Sequence, residues 1–335
     1  MKKIYIALLL AFPLWSNADQ FQSPKFSENL NEKYLTDESK SRLESHIYLS
    51  YIIDEKGVPQ DIIMVNQGPF RDISGLAKQY FSKLRYQPAM NAGVPIKVEQ
   101  RQHWKLGKKL LGSTNEGVSV GFSKAYDALN HAIKNKNTST AKDAQSQLKT
   151  RVKNLDEQAH YAWVSARYFA LVEDWANYNE SAFQAWVLRQ YLPEQYAYYA
   201  IKNMFEVALH QKDFRLAKSV VNTFRSIKGI SLTKEVYEEY MTAIDTELNK
   251  YPELKKTYNG KAPIYHKLSR TTVDVSSNND DSYAIQLRCV NLVKELGQTN
   301  GFTLPIGARN CRVVVKGSDV NQVTITESGL SHLDT

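Results

Sequence analysis

Between His46 and Leu106 the period of the apolar residues changes twice, and this limits what the chain can fold into more than any other feature. Ile47, Leu49, Tyr51 and Ile53 stand at alternate positions, the pattern of a strand with one buried face. Asp54-Glu55-Lys56-Gly57 breaks the run, Gly57 being able to take the positive φ of a tight connection, and Ile62-Ile63-Met64-Val65 resumes it, so the pair reads as a β-hairpin. Asn66-Gln67-Gly68-Pro69 ends it. From Asp72 onward Ile73, Leu76, Ala77, Tyr80, Phe81 and Leu84 fall at helical spacing, with Asp72 or Ser74 available as a cap. Pro88 and Gly93 close the helical part. A last strand alternates again, with Ile96, Val98, Trp104 and Leu106 on one face and Lys97, Glu99, Arg101, His103 and Lys105 on the other. His103, on that polar face, is expected to be a solvated histidine.

The order strand, strand, helix, strand resembles the TonB C-terminal domain family. The wording that carries it is Tyr51-Ile-Ile-Asp-Glu-Lys-Gly57-Val-Pro-Gln-Asp-Ile-Ile, then Leu84-Arg-Tyr86-Gln-Pro88-Ala89, then Gly93-Val-Pro-Ile-Lys-Val98. The resemblance covers about residues 40–110, under a quarter of the chain, and the domain it implies spans 46–110. Gly75 departs from it, standing where the family carries small helix formers. Glycine there costs on the order of 1 kcal/mol relative to alanine, which implies a helix that is short or closely packed. The resemblance implies binding of extended peptides by strand addition to the last strand, with Ile96, Val98, Gln100, Gln102 and Trp104 as the partner-binding positions.

A chain of 335 residues exceeds one ordinary core, so two or three domains are expected. With 42% hydrophobic and 23% charged residues it has a globular composition. Met1-Lys2-Lys3, the apolar run Ile4 to Trp15 and Ser16-Asn17-Ala18 have the three parts of a secretory signal over residues 1–18, with cleavage before Asp19. The run falls short of the ~20 residues of a membrane span. A periplasmic protein with no membrane span after cleavage is therefore expected. Loss of Lys2 and Lys3 lowers the formal charge from +8 to +6, a weak attraction to acidic surfaces. No arginine-rich run argues for nucleic acid.

Residues 19–45 form a polar lead-in with a short helical suggestion at Thr36 to Leu43, and residues 107–117 form a glycine-bearing linker. From 118 to 250 the pattern is helical. Polar-aromatic-x-x-small recurs at Asn177-Tyr178 to Ser181 and Asp213-Phe214 to Ala217, 36 residues apart, with a poorer copy from Asn137 to Ala141. Each copy is expected to open the second helix of a pair, after first helices over 118–135, 156–173 and 194–211 and before a closing helix over 233–250. This resembles tetratricopeptide repeats. Phe214, Ala217, Val220, Val221 and Phe224 form one stripe facing Ile201, Phe205, Ala208 and Leu209. Tyr196, Tyr198 and Tyr199 do not fit on one helix face, so at least one is expected to be exposed.

Residues 262–335 read as a small β-rich domain, a sandwich or sheet, with strands near 265–276, 283–289, 311–315 and 323–326 and a turn at Asn278 to Asp281. Residues 291–296 fit either a helical turn or a further strand. Cys289 and Cys311 are the only cysteines, and in an exported chain a disulfide between them is the default. The fold class is thus multidomain α+β.

No HExxH, CxxC, P-loop or Gly-x-Ser-x-Gly elbow occurs, so no catalytic residue, metal ligand or cofactor is assigned. The resemblance implies a scaffold that binds an envelope protein or peptide, accessory to an outer-membrane transporter. A transducer of that family carries a retained membrane helix and a long spacer, and this chain is expected to have neither. The alternative is an envelope enzyme or enzyme subunit with a site in the C-terminal β-domain or at its junction with the helices. A deep pocket with convergent ionisable groups favours that alternative; a bare sheet edge favours binding.

Overall fold

A computed structural model describes residues 21–27, 44–106, 117–226, 232–260, 263–277, 283–317 and 322–333. The signal segment, the helical suggestion at 36–43, nearly all of the linker and the turn at 278–281 lie outside the described residues. The chain is a mixed α+β protein of several antiparallel sheets and, among the described residues, eight α-helices. No described helix is long and apolar enough to cross a membrane.

The N-terminal unit contains β1 (Phe21–Gln22), β2 (Lys25–Phe26), β3 (Ser45–Ile53), β4 (Pro59–Gln67), α1 (Ser74–Lys83), β5 (Tyr86–Gln87), β6 (Ala89–Asn91), β7 (Val94–Ile96) and β8 (Val98–Leu106). Its main sheet has the order β4-β3-β8, while β1 and β2 pair with β6 and β5. Ile47, Leu49, Tyr51 and Ile53 bury one face of the sheet against Ala77 and Phe81 of α1. Gly57 takes φ 78°, and a Cβ there would stand 1.7 Å from the Tyr86 carbonyl oxygen, so both conformation and space demand glycine. Ala92 and Gly93, both at positive φ, form the two-residue turn between β6 and β7. Ile73 occupies the N-cap of α1 without a side-chain bond; Asp72 Oδ1 instead accepts from Ser74 N at 2.8 Å. Gly75 has nothing within 4 Å of a built Cβ, so the ten-residue helix is short and not closely packed at that point.

The helical unit comprises α2 (Val120–Lys134), α3 (Thr138–Lys149), α4 (Leu155–Leu171), α5 (Trp175–Val187), α6 (Glu194–His210), α7 (Phe214–Asn222) and α8 (Lys234–Asn249). Consecutive helices pack as pairs because the same turn recurs between them. Lys136, Glu173 and Lys212 adopt φ 54°, 57° and 55°. Each is followed by a cap, Asn137, Asp174 or Asp213, whose side chain accepts from the backbone N–H three residues on. The second copy therefore starts at Asp174, three residues before the position that the aromatic pattern indicated at Asn177. Phe214, Ala217, Val220, Val221 and Phe224 are all fully buried against Ile201 and Ala208. Tyr199 is exposed, while Tyr196 and Tyr198 pack on the core.

The C-terminal unit contains β9 (Leu254–Asn259), β10 (Ile264–Lys267), β11 (Arg270–Ser277), β12 (Ala284–Cys289), β13 (Leu292–Gly297), β14 (Gly301–Thr303), β15 (Arg312–Lys316) and β16 (Gln322–Ser331). Two four-stranded sheets, β10-β15-β12-β13 and β14-β11-β16-β9, form a sandwich over Val273, Ile285, Leu287, Val313, Val323 and Ile325. Because β9 pairs with β16, the unit begins at Leu254 and not at 262. Residues 292–297 are strand. Cys289 and Cys311 join β12 to the start of β15 with an S–S distance of 2.06 Å. Replacing Cys289 with serine is expected to cost about 3 kcal/mol in the chain-entropy picture. A urea midpoint insensitive both to that change and to reductant would contradict it.

Candidate functional site

Because β3 lies between β4 and β8, β8 has one paired edge and one outer edge. No described strand pairs with the outer edge. Its register against β3 runs from Ile53 opposite Val98 to Ser45 opposite Leu106. Trp104 faces α1 and stacks on Tyr80, with ring centroids 5.4 Å apart, while Val98 is fully buried. Gln100 is half-buried and Gln102 exposed. Ile96 does not belong to this edge: it ends β7, opposite Ala89 of β6, and Lys97 separates it from β8. Four of the five expected partner-binding positions thus share one strand, and the fifth sits in another sheet.

The opposite face of β8 is covered at Glu99 and His103, while Arg101 on it and Lys97 just before the strand are exposed. Glu99 is buried under the C-terminal sandwich, where its carboxylate accepts from Ser50 Oγ at 2.6 Å, Tyr265 Oη at 2.8 Å and Arg312 Nη1 at 2.8 Å. Arg288, fully buried, reaches across the same interface to Asp61 at 2.7 Å. Burial opposes the charged form of Asp61, but a hydrogen bond from Lys316 and the Arg288 guanidinium outweigh it and hold the carboxyl below its ordinary range. The reason lies in the strand period: Leu287 and Cys289 point into the sandwich, so Arg288 between them points out of it, onto the N-terminal sheet.

Further along β8, His103 meets His46 of β3, its Nε2 at 3.3 Å from His46 Nδ1, with Tyr48 stacked on the His103 ring. The pair is covered by the helical unit, where Gln184 of α5 donates to Asn66 Oδ1 and to the Gln67 carbonyl. Burial, with help from Lys105, lowers His46 to about 4. Burial first, then His46, Lys105 and Arg189, lowers His103 to about 3. His103 is therefore a neutral interface group, in contrast to the solvated side chain that strand alternation implied.

The helical unit is also fixed to the sandwich. Arg215 donates to the carbonyls of Leu268 and His332, and Arg270 to those of Leu248 and Tyr251. Beside these contacts, a cleft of about 570 Å³ opens between β4, α5 to α7 and the sandwich. Asp213 caps α7 through Leu216 N at 2.9 Å and meets Lys267 Nζ at 3.2 Å. His266 bridges Tyr258 and Glu327, at 2.6 and 2.8 Å, while the second oxygen of Glu327 accepts from Ser269 and Arg270 N–H. These ionisable groups converge, yet each is already engaged with another part of the protein. Among the described residues no group of three or more His, Cys, Asp or Glu side chains is arranged to hold a metal ion.

The sequence signals for these interface residues are present but ambiguous. Gln286 and Arg288 alternate with Ile285 and Leu287, and Glu99 stands between two apolar-face positions, as residues on a wet surface also do. Comparison of the chain with models of known protein families finds none that matches, and no curated protein matches it either.

Proposed function

We propose that the protein is an exported envelope scaffold, whose TonB C-terminal-like unit binds an extended segment of a partner by strand addition along β8. The single observation that carries this reading is the outer edge of a nine-residue strand that no described strand occupies. Such an edge offers a row of backbone donors and acceptors, and side-chain positions on the face beside Trp104 supply selectivity. The same sheet is held to the other two units by Glu99 and Asp61 and by the Gln184 bonds to Asn66 and Gln67. Little ordering of the sheet would then be needed on binding. The helix pairs, read as tetratricopeptide-like, supply a second surface, and an outer-membrane transporter is the expected class of partner.

A photo-reactive residue at exposed Gln102, with a control at Lys149 on α3, tests this in envelope extract. Capture is expected at 102 and not at 149. Adjacent residues of an edge strand alternate in the direction of their N–H groups, so one of Arg101→Pro and Gln102→Pro removes an outward donor. That variant is expected to stay folded by circular dichroism and to lose the captured partner, which Gln102→Ala retains. Undiminished capture by both folded proline variants would place the contact away from β8.

A further inference from the structure

The interdomain cleft does not end at Asp213. Asn179 and Val207 also line a second hollow of about 470 Å³ between α5 and α6, with Trp175, Tyr178, Glu206 and His210. Helical spacing brings the lining residues of this second hollow onto facing sides of the two helices, and the shared residues set the two hollows in line as a groove. Trp175, Tyr178 and Asn179 stand at i, i+3 and i+4 on α5, while Glu206 and His210 stand one turn apart on α6. Trp175 is 58% exposed at the mouth, and Tyr178 meets its ring edge-to-face at 5.7 Å, so the two form a corner with an open aromatic face. Glu206 is close enough to Tyr178 that, after burial, its charge helps raise the phenol above its ordinary value.

Charge narrows the choice of ligand. Glu180, Glu206, Asp213 and Glu327 along the groove are set against Lys212, Lys256 and Lys267, and this near balance gives no net field for an anion or a cation. What remains is a flat apolar platform followed by planar polar side chains, Asn179, Glu206, Gln211 and Asn66. An aromatic face suits an array of C–H groups, and amides and carboxylates suit hydroxyls, which both donate and accept. Capture of an extended peptide by strand addition would need a free sheet edge. The walls at the Trp175 end are helices and present no sheet edge, and the N–H groups of Trp175, Asn177 and Tyr178 are already bonded to Glu173 and Asp174.

We propose that this groove binds a neutral oligosaccharide, one sugar ring stacking on Trp175 and the chain running past Asn179 toward Asp213. The site is separate from the β8 edge and does not depend on strand addition there.

The full mature chain is to be probed on an array of soluble α- and β-linked oligosaccharides, including chitotetraose, cellotetraose and maltotetraose, beside a set of uncharged extended peptides. Retention of at least one oligosaccharide is expected, with a change in tryptophan fluorescence on titration. Trp175→Ala should weaken binding by about tenfold or more, Trp175→Phe should retain part of it, and Asn179→Ala and Glu206→Gln should each weaken it several-fold. Since Trp175 is mostly exposed, the variants are expected to melt with the parent. Binding to no sugar on the array, affinity unchanged by Trp175→Ala in the folded variant, or retention of peptides in place of sugars would each overturn the assignment.

Discussion

Glu99→Ala is expected to destabilise the protein by about 3–5 kcal/mol and to loosen the C-terminal sandwich from the N-terminal sheet. The carboxylate accepts three hydrogen bonds inside that interface, from Ser50, Tyr265 and Arg312, and Arg101 Nε lies 3.7 Å away. Its removal leaves the Arg312 guanidinium, 1% exposed, without its counter-charge. An unpaired buried cation costs far more than the intact pair contributes, because desolvation is then uncompensated. Arg312→Met is expected to cost less in the Glu99→Ala background than in the parent, and the difference measures their coupling. Urea unfolding followed by fluorescence gives the energies, and limited proteolysis tests whether the sandwich separates first. A loss below about 1 kcal/mol for Glu99→Ala would show that the interface does not rest on this pair.

That interface is also where local pattern stops being informative. The hairpin and helix between His46 and Leu84, and the stripe from Phe214 to Phe224, are legible because period and turn chemistry are properties of neighbouring residues. Gly57 is legible for one of its two reasons, the positive φ, but the approach of Tyr86 depends on a segment farther along the chain. Alternation along β8 correctly separates Val98 and Trp104 from Glu99 and His103. It cannot say what covers the second set. The covering groups, Tyr265, Arg288, Arg312 and Gln184, come from two other units, and a charged strand face opposite another charged strand face has the same local pattern as one opposite water.

The position of Ile96 is hidden from local pattern for a related reason. Its alternation with Val98 continues unbroken, while the break at Lys97 comes from β7 pairing back onto β6 through the Ala92-Gly93 turn. The strand from Leu254 to Asn259 has a weak sequence signature because Lys255, Lys256 and Asn259 dilute the apolar signal, as suits an edge strand that pairs on one side only. In the helical unit the aromatic pattern points to Asn177 through Tyr178. The recurring physical device is instead the left-handed residue before each cap, at Lys136, Glu173 and Lys212.

Stability is expected to fall steeply as pH drops from about 6.5 toward 3 to 4, chiefly through His46 and His103. Both have folded values below their ordinary 6.5, so below that pH the unfolded chain binds more protons than the folded one and the equilibrium shifts toward unfolding. For one imidazole lowered to about 4, the stability at neutral pH that is lost by the end of this range is on the order of 3 kcal/mol. The two rings touch and titrate as a pair, so their losses do not simply add. Lys105 and Arg189 are the charged side chains acting on His103, and both are cations that penalise its protonation. The first contacts to open should therefore be those between β3, β8 and α5, around Tyr48, Asn66 and Gln184. His332, lowered to about 4 by burial and Arg215, adds to the same slope at the joint between helices and sandwich. Replacing both His46 and His103 with asparagine removes two titrating groups while keeping polar side chains, and should flatten the dependence of the urea midpoint on pH between 6.5 and 4 by about half. Hydrogen exchange in β8 and α5, measured at pH 6.5 and 4.5 and corrected for intrinsic rates, should show protection lost there in the parent and kept in the double variant. A parent whose midpoint does not move over this range, or a double variant with the full slope, would show that the imidazole pair does not hold this interface closed.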